Sequence, residues 1–221
     1  MEVGAVITAG GLGKRSGSKI PKQLIELHGK AMWRHSAETF LKNKLIKEVV
    51  LTVPQDWQSD FIRDAASLSV IVVTGGKERW QSVRNGILAL PKNISHVMVH
   101  DAARPFVSDD IINSLAKALE NNCCMVAKPV FDTVKITENG FVKNTIDRQT
   151  VWLAQTPQAA PVALLKELYQ KMESFPDFCP TDEASILEKF GIPIKIVEGN
   201  AQNDKITTLK DMEKLLCSKD P

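Results

Sequence analysis

The sequence predicts an α/β protein with a doubly wound, mainly parallel, Rossmann-like sheet and one protruding β-arm. Three observations lead there. Short apolar runs alternate with helical stretches from the N-terminus to Val130. The first apolar run, VGAVITAGG, feeds directly into a loop rich in glycine and lysine. After Val130 the rhythm breaks into two short β-like pieces around Asn139-Gly140, a strong hairpin signal.

The elements follow in order. Residues 3–11 read as a buried strand and 31–43 as a helix. Residues 47–54 (KEVVLTVP) give a second strand, and 56–67 a second helix. A third strand spans 69–76, a helix 78–90, and a fourth strand enters the charged end of HVMVHDAARP at 96–105. Residues 109–121 are helical, with Ser108 as N-cap, and 124–130 form another strand. Beyond the interruption, helices resume at 161–172 and 181–190, and 192–199 form a late strand. Thr208 and Asp211 are spaced as a capping box opening a last helix. In such folds ligands bind beyond the carboxyl ends of the strands. That rule puts residues 9–22, 75–79 and 100–104 on one rim.

Bulk properties exclude several classes. The net charge of +2 over 221 residues gives no general attraction for nucleic acid. The four cysteines contain no C-x-x-C, so neither a disulfide framework nor a zinc knuckle is expected. No secretory leader is evident, and no apolar run approaches the ~20 residues that span a bilayer. A cytoplasmic protein is expected.

Residues 9–24, AGGLGKRSGSKIPKQL, hold four glycines and the cations Lys14, Arg15, Lys19 and Lys22. No acid lies between Glu2 and Glu26. Glycines after a first strand let backbone N–H groups cradle phosphates, and the cations add charge that can follow a phosphate through a reaction. A Walker A loop is excluded, since Thr8 stands where its first glycine belongs and Arg15 follows Lys14. The dinucleotide fingerprint is missed by one residue in the spacing of Gly11, Gly13 and Gly17. A Rossmann oxidoreductase also lacks its ribose-binding acid, because the second strand ends LTVPQ. A non-catalytic nucleotide-binding module is the other alternative.

Further motifs narrow the reading. A-G-G-x-G-x-R followed by P-K-Q, then GGKERWQSV, HDAARP, DTVK, TIDR, QTPQ, TDEAS and the N-x-K-I-T of residues 203–207 stand in one order along nearly the whole chain. Together they resemble the polyol- and sugar-phosphate nucleotidyltransferases, and among them the 2-C-methyl-D-erythritol 4-phosphate cytidylyltransferase family of non-mevalonate isoprenoid synthesis. Gly10, Ser16 and Asp204 depart from that family's usual text. Gly-Gly at 10–11 is nearer the related ribitol-5-phosphate cytidylyltransferases, and an acid at 204 is expected to weaken its lysine neighbour.

The resemblance implies a reaction of CTP with a polyol phosphate, giving a CDP-polyol and pyrophosphate. The attacking phosphate is already anionic, so catalysis is positioning plus charge stabilisation. It implies Arg15, Lys22 and Lys205 as catalytic cations. Ala9, Gly10, Gly11, Gly13, Lys14, Gly76, Arg79, Ser82 and Ala102 are implied for the nucleotide. Asp101, Arg104, Thr133, Arg148 and Thr156 are implied for the polyol phosphate. Mg²⁺ is expected, held mostly by the CTP phosphates with Asp101 nearby. His100 is expected to be structural. One nucleotidyltransferase domain over 1–221 is implied, with residues 131–151 as an arm crossing to a second subunit in a homodimer. Arg148 and Thr156 would then reach the partner's site.

Overall fold

The structure, a computed structural model, describes residues 1–10, 20–208 and 211–212. Strand β1 (Val3–Thr8) is buried almost throughout, as expected for a strand covered on both faces. A small hairpin follows, β2 (Glu26–Leu27) against β3 (Lys30–Ala31). His28 and Gly29 turn it at φ 48° and 81°, the left-handed pair that a two-residue turn favours. Sequence reading passes over this hairpin because two-residue strands carry no periodicity.

Then come α1 (Met32–Lys42), β4 (Ile46–Val53), α2 (Gln58–Ala65), β5 (Ile71–Thr74), α3 (Arg79–Ala89), β6 (His96–Asp101), α4 (Asp109–Leu119) and β7 (Cys123–Pro129). Their positions agree with the sequence reading to within a few residues. The Ser108 hydroxyl caps α4 by accepting from the Ile111 N–H, and Glu78 with Gln81 forms a capping box on α3. The arm consists of β8 (Val134–Glu138) and β9 (Phe141–Ile146), paired only with each other. Asn139 and Gly140 turn it at φ 51° and 83°. Strand β10 (Trp152–Pro161), α5 (Val162–Met172), α6 (Glu183–Lys189) and β11 (Ile194–Glu198) complete the described elements.

The main sheet has seven strands in the order β11-β7-β10-β6-β1-β4-β5. It is mainly parallel, but β10 runs antiparallel to both β6 and β7 in the middle of the sheet. This strand corrects the sequence reading, which left QTPQ at the end of the arm. No crossover helix separates β7 from β10. The chain leaves through the arm and returns beside itself, which reverses its direction.

Side-chain alternation sorts the core into two layers. In register, Ala5 faces Val49 and Ile7 faces Leu51; these pack with Trp33 and Phe40 of α1 and Ile112 and Leu115 of α4. On the other face Val6 and Val50 pack with Val83 and Ile87 of α3 and Leu165 and Tyr169 of α5. Helix α3 lies so close to the sheet that a Cβ at Gly86 would stand 2.5 Å from Val6 Cγ1. No helix among the described residues is long and apolar enough to cross a membrane.

Candidate active site

The carboxyl ends of β1 and β6 lie side by side, with Thr8 in register with Asp101. The residues just beyond them wall a cavity of about 310 Å³, including Gly10, Lys22, Gly76, Arg79, Asp101 and Lys205. This is the rim that strand order and the ligand-binding rule of α/β sheets designate.

Asp101 is its electrostatic centre. Its Oδ2 accepts from Lys205 Nζ at 2.6 Å and its Oδ1 from Arg79 Nε at 3.1 Å. Burial works against the charge of Asp101, but Arg79 and Lys205 together hold its carboxyl well below the usual carboxylate range. The Arg79 guanidinium in turn meets both oxygens of Glu183 at 2.9–3.0 Å. Glu183 is only 1% exposed, and it also accepts from the Tyr169 hydroxyl at 3.3 Å. Burial opposes the charge of Arg79, and the two carboxylates more than offset it, raising its pKa. Arg79 is thus held between two acids, and it also lines the cavity where the nucleotide contact implied for it would be made.

Behind Asp101 runs a second chain of bonds. The Asp101 N–H donates to Thr156 Oγ1 at 3.0 Å. Thr156 Oγ1 lies 3.1 Å from His100 Nδ1, and His100 Nε2 lies 3.0 Å from the Arg104 carbonyl. One assignment satisfies all three: the Thr156 hydroxyl donates to Nδ1, and a neutral imidazole donates from Nε2. Burial pushes the His100 pKa down to about 4, which agrees with that neutral ring. His100 is structural, as expected. Thr156 is 4% exposed, and its hydroxyl is engaged inside its own chain.

Lys205 is delivered by a turn that is fastened from several sides. Buried Asn203 donates to the Thr156 carbonyl at 2.8 Å. Arg104 binds the Asn203 carbonyl through Nη1 and the Ala154 carbonyl through Nη2. Its Nε is buried without a partner among the described residues. Lys22 Nζ donates to the Ile206 carbonyl at 2.7 Å, so the two implied catalytic lysines meet at one turn. Asp204 points away from its neighbour: Lys128 Nζ meets both its oxygens at 2.6 Å, and Gln155 donates to it at 3.1 Å. The expected weakening of Lys205 therefore has no direct contact to act through. A larger cavity of about 930 Å³ opens on the other side of Lys205, with Arg104 and Lys128 also in its wall.

The remaining implied residues divide. Ala9 and Ala102 are buried backbone supports, their N–H groups donating to Thr52 and Thr8 carbonyls. Ser82 Oγ accepts from the Gly76 N–H at 3.0 Å and so shapes the glycine turn. A Cβ at Gly76 would fall 2.3 Å from Gln81 Cβ, so a glycine is required there. Thr133 and Arg148 lie exposed on the arm, away from both cavities; Arg148 Nη1 donates to the Phe131 carbonyl. Gly11, Gly13, Lys14 and Arg15 lie outside the described residues. Sequence reading missed Glu183, Tyr169, Asn203 and Gln155. Three of them stood inside quoted motifs, TDEAS, QTPQ and the N-x-K-I-T of residues 203–207, and only the fold supplies their partners.

A mainly parallel α/β sheet whose strand ends carry two lysines and a buried acid around one cavity is that of a nucleotidyltransferase-type protein. The model of the 2-C-methyl-D-erythritol 4-phosphate cytidylyltransferase family matches residues 3–215. The chain belongs to that family. It is 37% identical over 222 residues to the 2-C-methyl-D-erythritol 4-phosphate cytidylyltransferase of Geobacter metallireducens, covering 96% of this chain and 95% of that one. It is also 37% identical to the enzyme of the same name in Syntrophus aciditrophicus, covering 96% and 93%. Among solved structures, 4-diphosphocytidyl-2C-methyl-D-erythritol synthase from Anaerococcus prevotii superposes with a TM-score of 0.86 at 28% identity, covering 97% and 94%. The Francisella tularensis cytidylyltransferase gives 0.79 at 32%, covering 97% and 98%.

Proposed function

We propose that this protein joins CTP and 2-C-methyl-D-erythritol 4-phosphate to give 4-diphosphocytidyl-2-C-methyl-D-erythritol and pyrophosphate. The observation that carries the reading is a cavity at the ends of β1 and β6 lined by Lys22, Asp101 and Lys205, with Lys205 paired to Asp101 and Lys22 bound to the carbonyl of the next residue, Ile206. CTP occupies the smaller cavity, its phosphates beside Lys22 and Lys205. The polyol phosphate enters beside Arg104 and Lys205. Its phosphate oxygen attacks the α-phosphorus in line, pyrophosphate leaves, and the lysines stabilise the charge of the five-coordinate phosphorus. Asp101, kept ionised, accepts a hydroxyl of the polyol.

No group of three His, Cys, Asp or Glu side chains among the described residues could hold a metal ion. That fits Mg²⁺, which takes one or two carboxylates and otherwise phosphate and water. Asp101 would be its protein ligand, and the ion would neutralise polyphosphate charge.

The arm supports a homodimer. Phe131 and Phe141 are each 79% exposed and Val142 64%, on a two-stranded hairpin of a kind marginal in water by itself. A twofold partner would cover these side chains and receive Arg148 and Thr133. The single domain and its arm then act as one unit in a cytoplasmic enzyme.

The test is pyrophosphate release from CTP and Mg²⁺ with methylerythritol phosphate and, in parallel, ribitol-5-phosphate. Release with the first alone is expected; release with the second alone overturns the substrate assignment.

A further inference from the structure

We propose that Glu183 is a positioning residue for the active site, setting the geometry of Asp101 and Lys205 through Arg79. The inference rests on the cytidylyltransferase reading above.

The four charges alternate in one continuous chain: Glu183, Arg79, Asp101, Lys205. The order in space is not the order in sequence. Arg79 opens α3, Asp101 ends β6, Glu183 opens α6, and Lys205 follows β11. Four separate parts of the chain therefore converge here. The two ends differ in exposure: the Lys205 side chain is 41% exposed and that of Glu183 2%.

Glu183 itself is over-determined. It takes a bidentate fork from Arg79 and a hydroxyl from Tyr169, whose ring stacks on Trp80 with centroids 6.2 Å apart. Helix α6 holds it by a capping box in which Asp182 accepts from the Ser185 N–H. The Ala184 N–H and the Asp182 carboxylate are both bound by Gln158 of β10. A planar guanidinium can serve two carboxylates at once only if both lie near its plane. With Glu183 fixing one edge of the fork, the other edge presents Nε and Nη2 to a single oxygen of Asp101, at 3.1 Å each. The second oxygen is left for Lys205. Remove the charge of Glu183 and Arg79 is free to rotate toward Asp101 as a full bidentate pair. That takes the Asp101 oxygen from Lys205 and releases the lysine from its place over the cavity.

Glu183 is buried behind Arg79, so the test must separate geometry from folding. CTP affinity and stoichiometry are measured by titration calorimetry for wild type, Glu183→Gln, Asp101→Asn and the double variant. kcat is measured for the same four with CTP, Mg²⁺ and methylerythritol phosphate. Glu183→Gln is expected to bind CTP with unchanged stoichiometry, about tenfold more weakly, and to lose roughly tenfold in kcat. Because the effect passes through Asp101, the double variant should be little worse than Asp101→Asn alone. Losses that multiply, or a lowered melting temperature with unchanged affinity and kcat, overturn the proposal. If Glu183→Gln does not fold, Tyr169→Phe removes one anchor of the same carboxylate and should give a smaller loss with the same non-additivity. A wild type that turns over neither polyol phosphate would refute the function reading, while the CTP affinities still decide the coupling.

Discussion

Replacing Lys205 by methionine separates the catalytic contribution of that side chain from its structural one. The ammonium sits 2.6 Å from Asp101 Oδ2, but its side chain is 41% exposed, so solvent screens the pair. Its worth to stability is about 1 kcal/mol or less, since Asp101 keeps its contact with Arg79. For a chain of this size that corresponds to a fall in melting temperature of about 2–4 °C. The catalytic loss is of another order. A preorganised donor aimed at developing charge is worth about 2.7–4 kcal/mol, or roughly 10²- to 10³-fold in kcat. Coupled pyrophosphate release at saturating CTP and Mg²⁺, with melting temperature recorded on the same samples, reads both. Lys205→Arg should recover part of the rate because it restores the charge with a different shape. A Lys205→Met protein within about fivefold of wild-type kcat/KM, against the factor expected of such a donor, would refute the reasoning and leave Lys205 a surface lysine.

Four further outcomes are expected. Burial keeps His100 neutral down to about pH 4, whereas the unfolded chain takes up its proton below about 6.5. The unfolded state therefore binds more protons in that window. Stability should fall by about 3 kcal/mol as pH drops from 6.5 to 4, and His100→Asn should flatten that part of a urea-unfolding pH series. Gly86→Ala places a Cβ 2.5 Å from Val6 Cγ1 and 2.9 Å from Thr52 Cγ2, and overpacking of this kind costs about 1–3 kcal/mol in denaturant melts. Phe141→Asp should convert a dimer to monomers in analytical ultracentrifugation and abolish turnover; a dimer that persists would remove the arm from the interface. Asp204→Asn should cost under about 1 kcal/mol, as its carboxylate is half-exposed and paired with Lys128, and should leave kcat within a factor of about three by thermal-shift-matched assay.

Local signals carried far in this chain. The buried strands β1, β4 and β6 read as short, mostly apolar runs, and the cap at Ser108 sits where its residue type places it. The rim of the site followed from strand order, which grouped residues 9–22, 75–79 and 100–104, while Lys205 was reached only through the family resemblance of its motif. What stayed hidden depends on pairing across distance. Strand β10 is antiparallel because of a connection, which its own residues do not encode. The sequence shows the Arg79 guanidinium but not the two carboxylates that hold it, and Glu183 lies 104 positions away. Thr156 belonged to a motif whose direction into the core was set by the irregular register between Ala154 and Gln158.

The position of β10 also fixes an order of assembly. Strands β1, β4, β5 and β6 are complete once residue 101 has been made, and they can pair among themselves. Strand β7 cannot join them, because its place is beside β10, and β10 is synthesised only after the arm. A nascent chain halted before Trp152 therefore carries an open edge on β6 and an unpaired β7, the kind of exposed strand that recruits other chains. Truncations ending between residues 130 and 151 should collect in the insoluble fraction, and the ribosome must expose the whole of β10 before either half of the sheet is safe.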